Sequence, residues 1–220
     1  MLKKDLSPDN PVHILTPYCP PESGEMAHLG YYRDDMAFHF EQGFFNLALF
    51  SFHYLYMTLV YIYLMKYHKF NRGAIKNALG GSRARKRVPL HITATVYSTL
   101  CREGEVIKLF ETNDGDIESR HTTLVQSRNS VAHSSGAIIQ RPQFLTHAKA
   151  AGTILERIKE RALWRMNRRP PSQFASRISD INGTRGAAER EEKLSRFARD
   201  FYISPKDWEY YYEKGIIRRP

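Results

Sequence analysis

The sequence predicts an all-α protein, because apolar residues recur at helical spacing along most of the chain and no segment alternates apolar and polar residues convincingly as a strand would. Stretches rich in proline and glycine separate the helical segments and mark their ends. We expect an antiparallel bundle of four to five helices over residues 25–169. An irregular N-terminal arm over 1–24 precedes it, and a basic C-terminal extension with short helices over 170–220 follows.

The N-terminal arm is defined by prolines, which fix φ and remove backbone donors, so no stable helix is expected there. These prolines are Pro8, Pro11, Pro17, Pro20 and Pro21. From about residue 25 to residue 70 the chain has a helical pattern, but one unbroken helix of that length would extend about 65 Å. A break is therefore expected, and Gly43 is the position where it costs least.

Residues 43–65 contain no charged side chain and are long enough to cross a bilayer. Polar residues interrupt this segment, and its tyrosines lie along its whole length rather than at the two ends, where a membrane helix places them. We therefore predict a buried bundle helix, which can be apolar nearly all round. A membrane-associated protein anchored through this segment is the weaker alternative.

The middle of the chain carries the next predicted elements. Residues 71–88 combine glycines with a basic cluster, as in an exposed loop. A long helix is predicted to start near Pro89 and to end near Phe110. A turn with an aspartate cap at 113–116 starts a further helix over about 117–135, which Gly136 is expected to end.

The last part of the bundle is a regular apolar stripe that follows Pro142 and predicts a helix reaching the pair of prolines at 170–171. In the extension, two helices are predicted, over 187–201 and 205–214. We expect the aromatic cluster of the second one to dock the extension onto the bundle or onto a partner subunit. It consists of Trp208, Tyr210, Tyr211 and Tyr212.

Composition limits the partners and the compartment. The net charge of +10 favours a polyanionic partner, and nucleic acid is a better candidate than anionic lipid. Cys19 and Cys101 are the two cysteines, which together with the absence of a signal-peptide pattern predicts a reducing cytoplasm rather than a secreted disulfide protein. No histidine lies at a recognised metal-ligand spacing, and no glycine-rich phosphate loop occurs, so neither a metal nor another cofactor is expected.

The most informative stretch is Arg-Asn-Ser-Val-Ala-His at residues 128–133. Arg128 stays charged and can hold phosphate oxygens, whereas His133 can take or give a proton near neutrality. Together they offer charge stabilisation and acid–base chemistry without a metal. Similar spacings occur at Arg33/His39, Arg85/His91 and Arg141/His147; prolines disfavour the last two, and the first remains the one competitor.

The pattern Arg-Asn-x-x-Ala-His resembles the signature of HEPN domains, in which an arginine is followed after four to six residues by a histidine on a helix of an all-α bundle. The resemblance implies a metal-independent endoribonuclease that acts as a dimer, as in many toxins and antiviral defence effectors. Carried over by position, Arg128 and His133 form the catalytic pair and Asn129 is the supporting polar residue. Some HEPN toxins carry a tyrosine two residues after the histidine; here that position is Ser135, so control by tyrosine modification is not implied.

The helical geometry of this motif leaves two interpretations open. Five residues turn a helix through about 140°, so Arg128 and His133 do not lie on one face, and a twofold dimer that brings two pairs together suits them better. Alternatively, Arg128 pairs with a carboxylate such as Glu118 or Asp116 and His133 is an ordinary helix histidine. The chain would then be a catalytically silent dimer that binds RNA or another protein.

Two basic runs are candidates for holding an RNA backbone by neutralising its phosphates. The first comprises Arg83, Arg85, Lys86 and Arg87, and the second contains Arg157, Arg161 and Arg165. Charge runs are also common on solvated helix faces, so this prediction depends on how each side chain is placed. RNA and a second copy of the chain are thus the expected partners, together with an antitoxin or a larger defence complex.

Overall fold

A computed structural model describes residues 6–22, 26–71, 73–75, 103–110, 114–133 and 136–219. Over these residues the protein is all-α, as predicted, and no strand occurs in this part of the chain. The α-helices are α1 (Val12–Leu15), α2 (His28–Glu41), α3 (Phe45–Tyr67), α4 (Gly115–Ala132), α5 (Arg141–Arg168), α6 (Ser172–Gly183), α7 (Ala187–Asp200) and α8 (Pro205–Glu213). Two 3-10 helices span Thr16–Tyr18 and Glu103–Phe110.

The predicted break at Gly43 is confirmed. Gly43 lies between α2 and α3 with a φ of +77°, a conformation that a residue with a side chain rarely adopts. The turn allows α3 to fold back along α2, and the two helices pack on each other. The glycine therefore converts one long apolar segment into a helical hairpin.

Helix α3 is the centre of the fold. It is long and apolar enough to span a membrane by length and composition, with a hydropathy of 1.5, yet 83% of its most apolar window is buried inside the protein. Helices α2 and α5 both pack on it, and the ring of Phe144 on α5 lies 5.4 Å from those of Phe40 on α2 and Phe52 on α3. This burial is consistent with a soluble protein whose core helix is α3.

Helix α4 carries the Arg-Asn-Ser-Val-Ala-His motif. It starts where predicted, because the carboxylate of Asp114 accepts a hydrogen bond from the amide of Ile117 at 3.4 Å. It ends at Ala132, earlier than the predicted 135, and Gly136 then has a φ of +72°. The prediction of a helix from Pro89 to Phe110 lies partly outside the described residues, and its last eight residues form a 3-10 helix rather than an α-helix.

The N-terminal segment differs from the predicted extended arm. Val12, Leu15 and Tyr18 are buried, and they belong to two short helical segments that join the main core. Proline is compatible with this arrangement because Pro11 and Pro17 occupy helix-start positions, where the missing N–H has no helical partner. The prolines thus limit helix length here without keeping the chain away from the core.

The C-terminal extension has three helices where two were predicted. Both predicted helices are present as α7 and α8, and α6 was missed. The three helices surround a second hydrophobic cluster, which contains Phe174, Phe197 and Tyr211 together with Leu163 at the end of α5. The extension contacts the bundle through a residue that was not predicted, since buried Asp207 accepts a hydrogen bond from the hydroxyl of Tyr63 on α3 at 3.2 Å. The predicted aromatic residues at 208 and 210–212 pack in the second cluster, which includes residues of α5.

Candidate active site

Helix α4 presents the three motif residues in different environments. Arg128 and Asn129 are half-buried, whereas His133 is exposed directly after the last helical residue. The amide of His133 donates to the carbonyl of Asn129 at 2.9 Å, which closes the final turn. Within the part of the chain that the structure describes, no hydrogen bond joins the side chains of Arg128 and His133. The two side chains are therefore not joined directly within one chain.

Arg128 instead forms an ion pair with Glu103 at the start of the 103–110 helix. Nη2 of Arg128 also lies 3.3 Å from Nε2 of His53 on α3. This His53 nitrogen in turn lies 3.2 Å from the Glu103 carboxylate. Arg128 has a carboxylate partner, as one interpretation of the motif expected, but this partner is Glu103 and neither Asp116 nor Glu118. Asp116 pairs with Arg120 at 2.7 Å, and Glu118 forms no ion pair with Arg128.

A second histidine extends this polar cluster into the core. Nε2 of His121 on α4 lies 2.6 Å from the carbonyl oxygen of Glu103, and its Nδ1 lies 2.7 Å from the hydroxyl of Tyr56 on α3. A carbonyl can only accept, so Nε2 carries the proton and donates, and Nδ1 accepts from the tyrosine. His121 thereby links α3, α4 and the 103–110 helix.

Burial keeps both histidines of the cluster neutral, because it lowers the pKa of each. Burial lowers the pKa of His121 from 6.5 to about 4. Burial also lowers the pKa of His53, although the hydrogen bond to Glu103 opposes the shift. Burial raises the pKa of Glu103, but its hydrogen bonds with His53 and Arg128 and the charge of the guanidinium outweigh that effect, so its pKa lies below the usual range. At neutral pH the cluster therefore holds one guanidinium and one carboxylate.

The buried Nε of the Arg128 guanidinium has no hydrogen-bond partner among the described residues. A buried donor without a partner is costly and marks a position where an acceptor is favoured. The ion pair itself is about one-quarter exposed on both sides, so an anion from solvent can approach the guanidinium.

Sequence reasoning missed Glu103, His121, Tyr56 and the role of His53. One signal was present, because His121 precedes Arg128 by seven residues and so lies on the same face of α4. The others meet Arg128 through the tertiary fold, and no local pattern connects them.

The competing arginine and histidine pairs have other roles in the structure. Arg33 pairs with Glu22 and with Asp34, the latter at 3.1 Å, and His39 lies 3.4 Å from Asp35. Arg141 pairs with Asp9 at 2.8 Å on the surface. The remaining pair, at 85 and 91, lies outside the described residues. None of the described competitors joins its arginine to its histidine.

Only one of the two predicted sets of RNA-binding residues lies within the described part of the chain. The first set, at 83–87, lies outside the described residues. In the second, Arg157 is exposed, but Arg161 donates to the carbonyl of Phe110 and Arg165 donates to the hydroxyl of Tyr67. The guanidinium of Arg165 also lies 4.2 Å from the centre of the Tyr67 ring. Two of these arginines thus contribute contacts that pack α5 against neighbouring elements.

Within the described ranges, no group of three or more His, Cys, Asp or Glu side chains is arranged to hold a metal ion. Cys19 is a buried free thiol, and burial raises its pKa to about 12. Cys101 lies outside the described residues.

Comparison with protein-family models, with curated proteins and with solved structures found no match for this chain.

Proposed function

We propose that the protein is a metal-independent endoribonuclease of the HEPN type, with Arg128 and His133 as the catalytic pair and Asn129 as a supporting polar residue. The observation that carries the proposal is the placement of the motif on α4, with an exposed imidazole at the end of the helix and a partly exposed guanidinium held by a polar cluster. Under this proposal α2, α3, α4 and α5 form the HEPN-like bundle.

The proposed reaction needs only these two groups and the ribose. His133 assists transfer of the proton from the ribose 2′-OH, and that oxygen attacks the adjacent phosphorus. Arg128 stabilises the negative charge that builds on the phosphate oxygens. The bond from phosphorus to the 5′-oxygen breaks, and that oxygen takes up a proton in place of the one the 2′-OH lost, leaving a 2′,3′-cyclic phosphate and a 5′-hydroxyl. DNA lacks the attacking hydroxyl and is not cut.

A homodimer completes the proposed site. No hydrogen bond joins His133 and Arg128 of one chain among the described residues, and a twofold axis near the end of α4 would place each histidine opposite the arginine of the partner subunit. Glu103 and His53 then act as positioning residues that set the direction of the guanidinium. A phosphate that binds Arg128 competes with the Glu103 carboxylate for the same nitrogen.

RNA is the proposed partner and the cytoplasm the proposed location, in agreement with the net charge of +10. A toxin or antiviral effector must be restrained until needed, and an antitoxin or a larger defence complex would supply that restraint. The surface around His133 is the part that such an inhibitor has to cover.

A catalytically silent module that binds RNA or protein is the second candidate. The ion pair of Arg128 with Glu103 favours it, because an arginine neutralised inside its own subunit is less available to a phosphate. RNA cleavage by the purified protein in EDTA separates the two candidates. The ribonuclease proposal expects cleavage that Arg128→Ala abolishes and that Arg120→Ala, a surface change on the same helix, leaves intact. Absence of cleavage by the wild type supports the silent module.

A further inference from the structure

An open groove in the C-terminal extension has arginine as its main lining residue. It lies where the end of α6, the start of α7 and the segment 216–219 meet, and its volume is about 1030 Å³. Arg185, Arg190, Arg218 and Arg219 line it, and Glu191 is the one acidic residue among its lining. We call this feature the arginine groove.

Hydrogen bonds fasten the segment that carries two of these arginines. The side-chain amide of Asn182 donates to the carbonyl of Ile216 at 2.9 Å, and its oxygen accepts from the amide of Arg218 at 3.0 Å. The guanidinium of Arg190 donates to the carbonyl of Arg218. The backbone of the groove is therefore held in place from both sides, which reduces the ordering cost of binding a ligand there.

Within the described part of the chain, the groove arginines have no acidic partner, since none of the four forms an ion pair. Three nearby acidic residues are engaged elsewhere, because Lys193 pairs with Asp180 and Glu189 at 2.8 Å and Glu192 pairs with Arg196. The described lining residues thus include four arginines and one acidic residue, Glu191.

Two other arginines of the extension behave differently. Arg177 pairs with Asp200 at 3.3 Å, and Arg196 pairs with Glu192 one helical turn away. Arg199 is the third arginine outside the groove, and among the described residues it forms no ion pair. What distinguishes Arg185, Arg190, Arg218 and Arg219 is that they line the same groove. Their concentration in one concave place indicates a site for an external anion.

We propose that the arginine groove binds the phosphate backbone of single-stranded nucleic acid. Guanidinium forks match phosphate oxygens, and a groove of this volume with four arginines from two segments of the chain can hold more than one phosphate of a nucleic-acid strand. No aromatic side chain is among the groove's lining residues, so bases have no stacking partner in it and binding follows the backbone rather than the sequence. The inference concerns binding alone and stands whether or not the motif on α4 cuts RNA.

The test uses a labelled single-stranded RNA of about 12 nucleotides with 2′-O-methyl groups, which cannot be cut through its 2′-OH. Its affinity for the full chain is measured by fluorescence anisotropy over a range of salt concentrations. The double variant Arg185→Gln/Arg218→Gln removes two groove charges. The matched control, Arg177→Gln/Arg196→Gln, removes two paired charges from the same extension.

The groove variant is expected to bind about tenfold more weakly than the wild type near 0.1 M salt, and its log–log salt slope should fall by about 1.4. The control should match the wild type within about a factor of two. Glu191→Gln removes the opposing charge and should tighten binding. Thermal unfolding of each variant, followed by circular dichroism, checks that the fold is retained.

Two results would overturn the proposal. The first is a groove variant whose affinity and salt slope equal those of the control, with Glu191→Gln also unchanged. The second is competition in which a mononucleotide displaces the RNA as well as an unlabelled oligonucleotide does at equal phosphate concentration. The groove would then bind an isolated phosphate group and not a chain.

Discussion

The guanidinium of Arg128 on α4 forms an ion pair with Glu103, which lies 25 residues earlier in the chain. His53 on α3 lies within 3.3 Å of the same guanidinium nitrogen, so the ion pair joins three elements of the fold. The arginine that the sequence motif marks as catalytic is therefore also part of the fold's internal polar structure. A change to Arg128 therefore removes this ion pair as well as the proposed catalytic group, and experiments have to separate the two.

A double-mutant cycle measures the stability part. Glu103→Gln, Arg128→Gln and the double variant should give a coupling free energy of about 1–2 kcal/mol, because the pair is about three-quarters buried and lies between the surface and fully buried cases. Urea unfolding supplies the four free energies. The same cycle on Asp116 and Arg120, an exposed pair on the same helix, should give less than about 0.5 kcal/mol. Equal couplings for the two pairs would contradict the structural role assigned to Glu103.

His121 predicts a pH dependence of stability. Its pKa falls from 6.5 to about 4 on folding, so the unfolded chain takes up a proton that the folded protein refuses. The stabilisation is complete above pH 6.5 and is lost as the pH falls toward 4. The loss in the free energy of unfolding amounts to about 2 kcal/mol by pH 5. His121→Asn should be less stable at neutral pH but should lose less on acidification. His13→Asn, at an exposed histidine, should keep the wild-type dependence.

The comparison is made by urea unfolding near pH 7.5 and pH 5. If His121→Asn loses as much unfolding free energy between pH 7.5 and pH 5 as the wild type does, groups other than His121 cause the loss of stability in acid. His53 contributes in the same direction, because burial lowers its pKa as well.

The docking of the C-terminal extension depends on a buried charge pair. Lys66 on α3 and Asp207 on α8 are both fully buried and form an ion pair; burial lowers the pKa of Lys66, and the carboxylate opposes that shift. Lys66→Met leaves the carboxylate without its counter-charge and should cost about 3 kcal/mol. Lys206→Met, in a solvent-exposed pair with Glu209, should cost less than about 1 kcal/mol. Thermal unfolding gives both values, and a small loss for Lys66→Met would mean that this pair does not anchor the extension.

The hairpin of α2 and α3 depends on the backbone conformation of Gly43. Alanine at φ +77° is strained, so Gly43→Ala should lower the free energy of unfolding by about 1–2 kcal/mol although its side chain would meet no neighbour. Gly115→Ala, at the first residue of α4 and equally free of neighbours, should be neutral or slightly stabilising. Similar changes in the free energy of unfolding at the two positions would show that the positive φ of Gly43 does not cause the loss.

The sequence alone predicted the helices and breaks that have a strong local pattern. The uninterrupted apolar run of α3, the stripe of α5 and the glycine between α2 and α3 all follow from spacing and backbone chemistry. Helix α6 was missed because it buries only Phe174 and Ile181, too few residues to give a visible stripe. The packing of the N-terminal segment was missed because its helical turns are too short for periodicity to register.

The candidate site was predictable only in part. The motif predicted Arg128, Asn129 and His133 on one helix; Arg128 and Asn129 lie on α4, and His133 is the residue that follows its last turn. The partners of Arg128 come from α3 and from the 103–110 helix, so they depend on how helices pack rather than on local spacing. The same limit applies to the arginine groove, whose four arginines lie in two separated segments of the chain.

The central claim is that Arg128 and His133 cut RNA, and analysis of fragment ends tests it most directly. Purified wild type and His133→Ala are incubated with RNA in EDTA, with His13→Ala as a control at another exposed histidine. We expect the wild type and the control to leave 2′,3′-cyclic phosphate and 5′-hydroxyl ends, and His133→Ala to leave the RNA intact while unfolding at the wild-type temperature. Full cleavage by His133→Ala, or fragments with 3′-hydroxyl ends, would contradict the account.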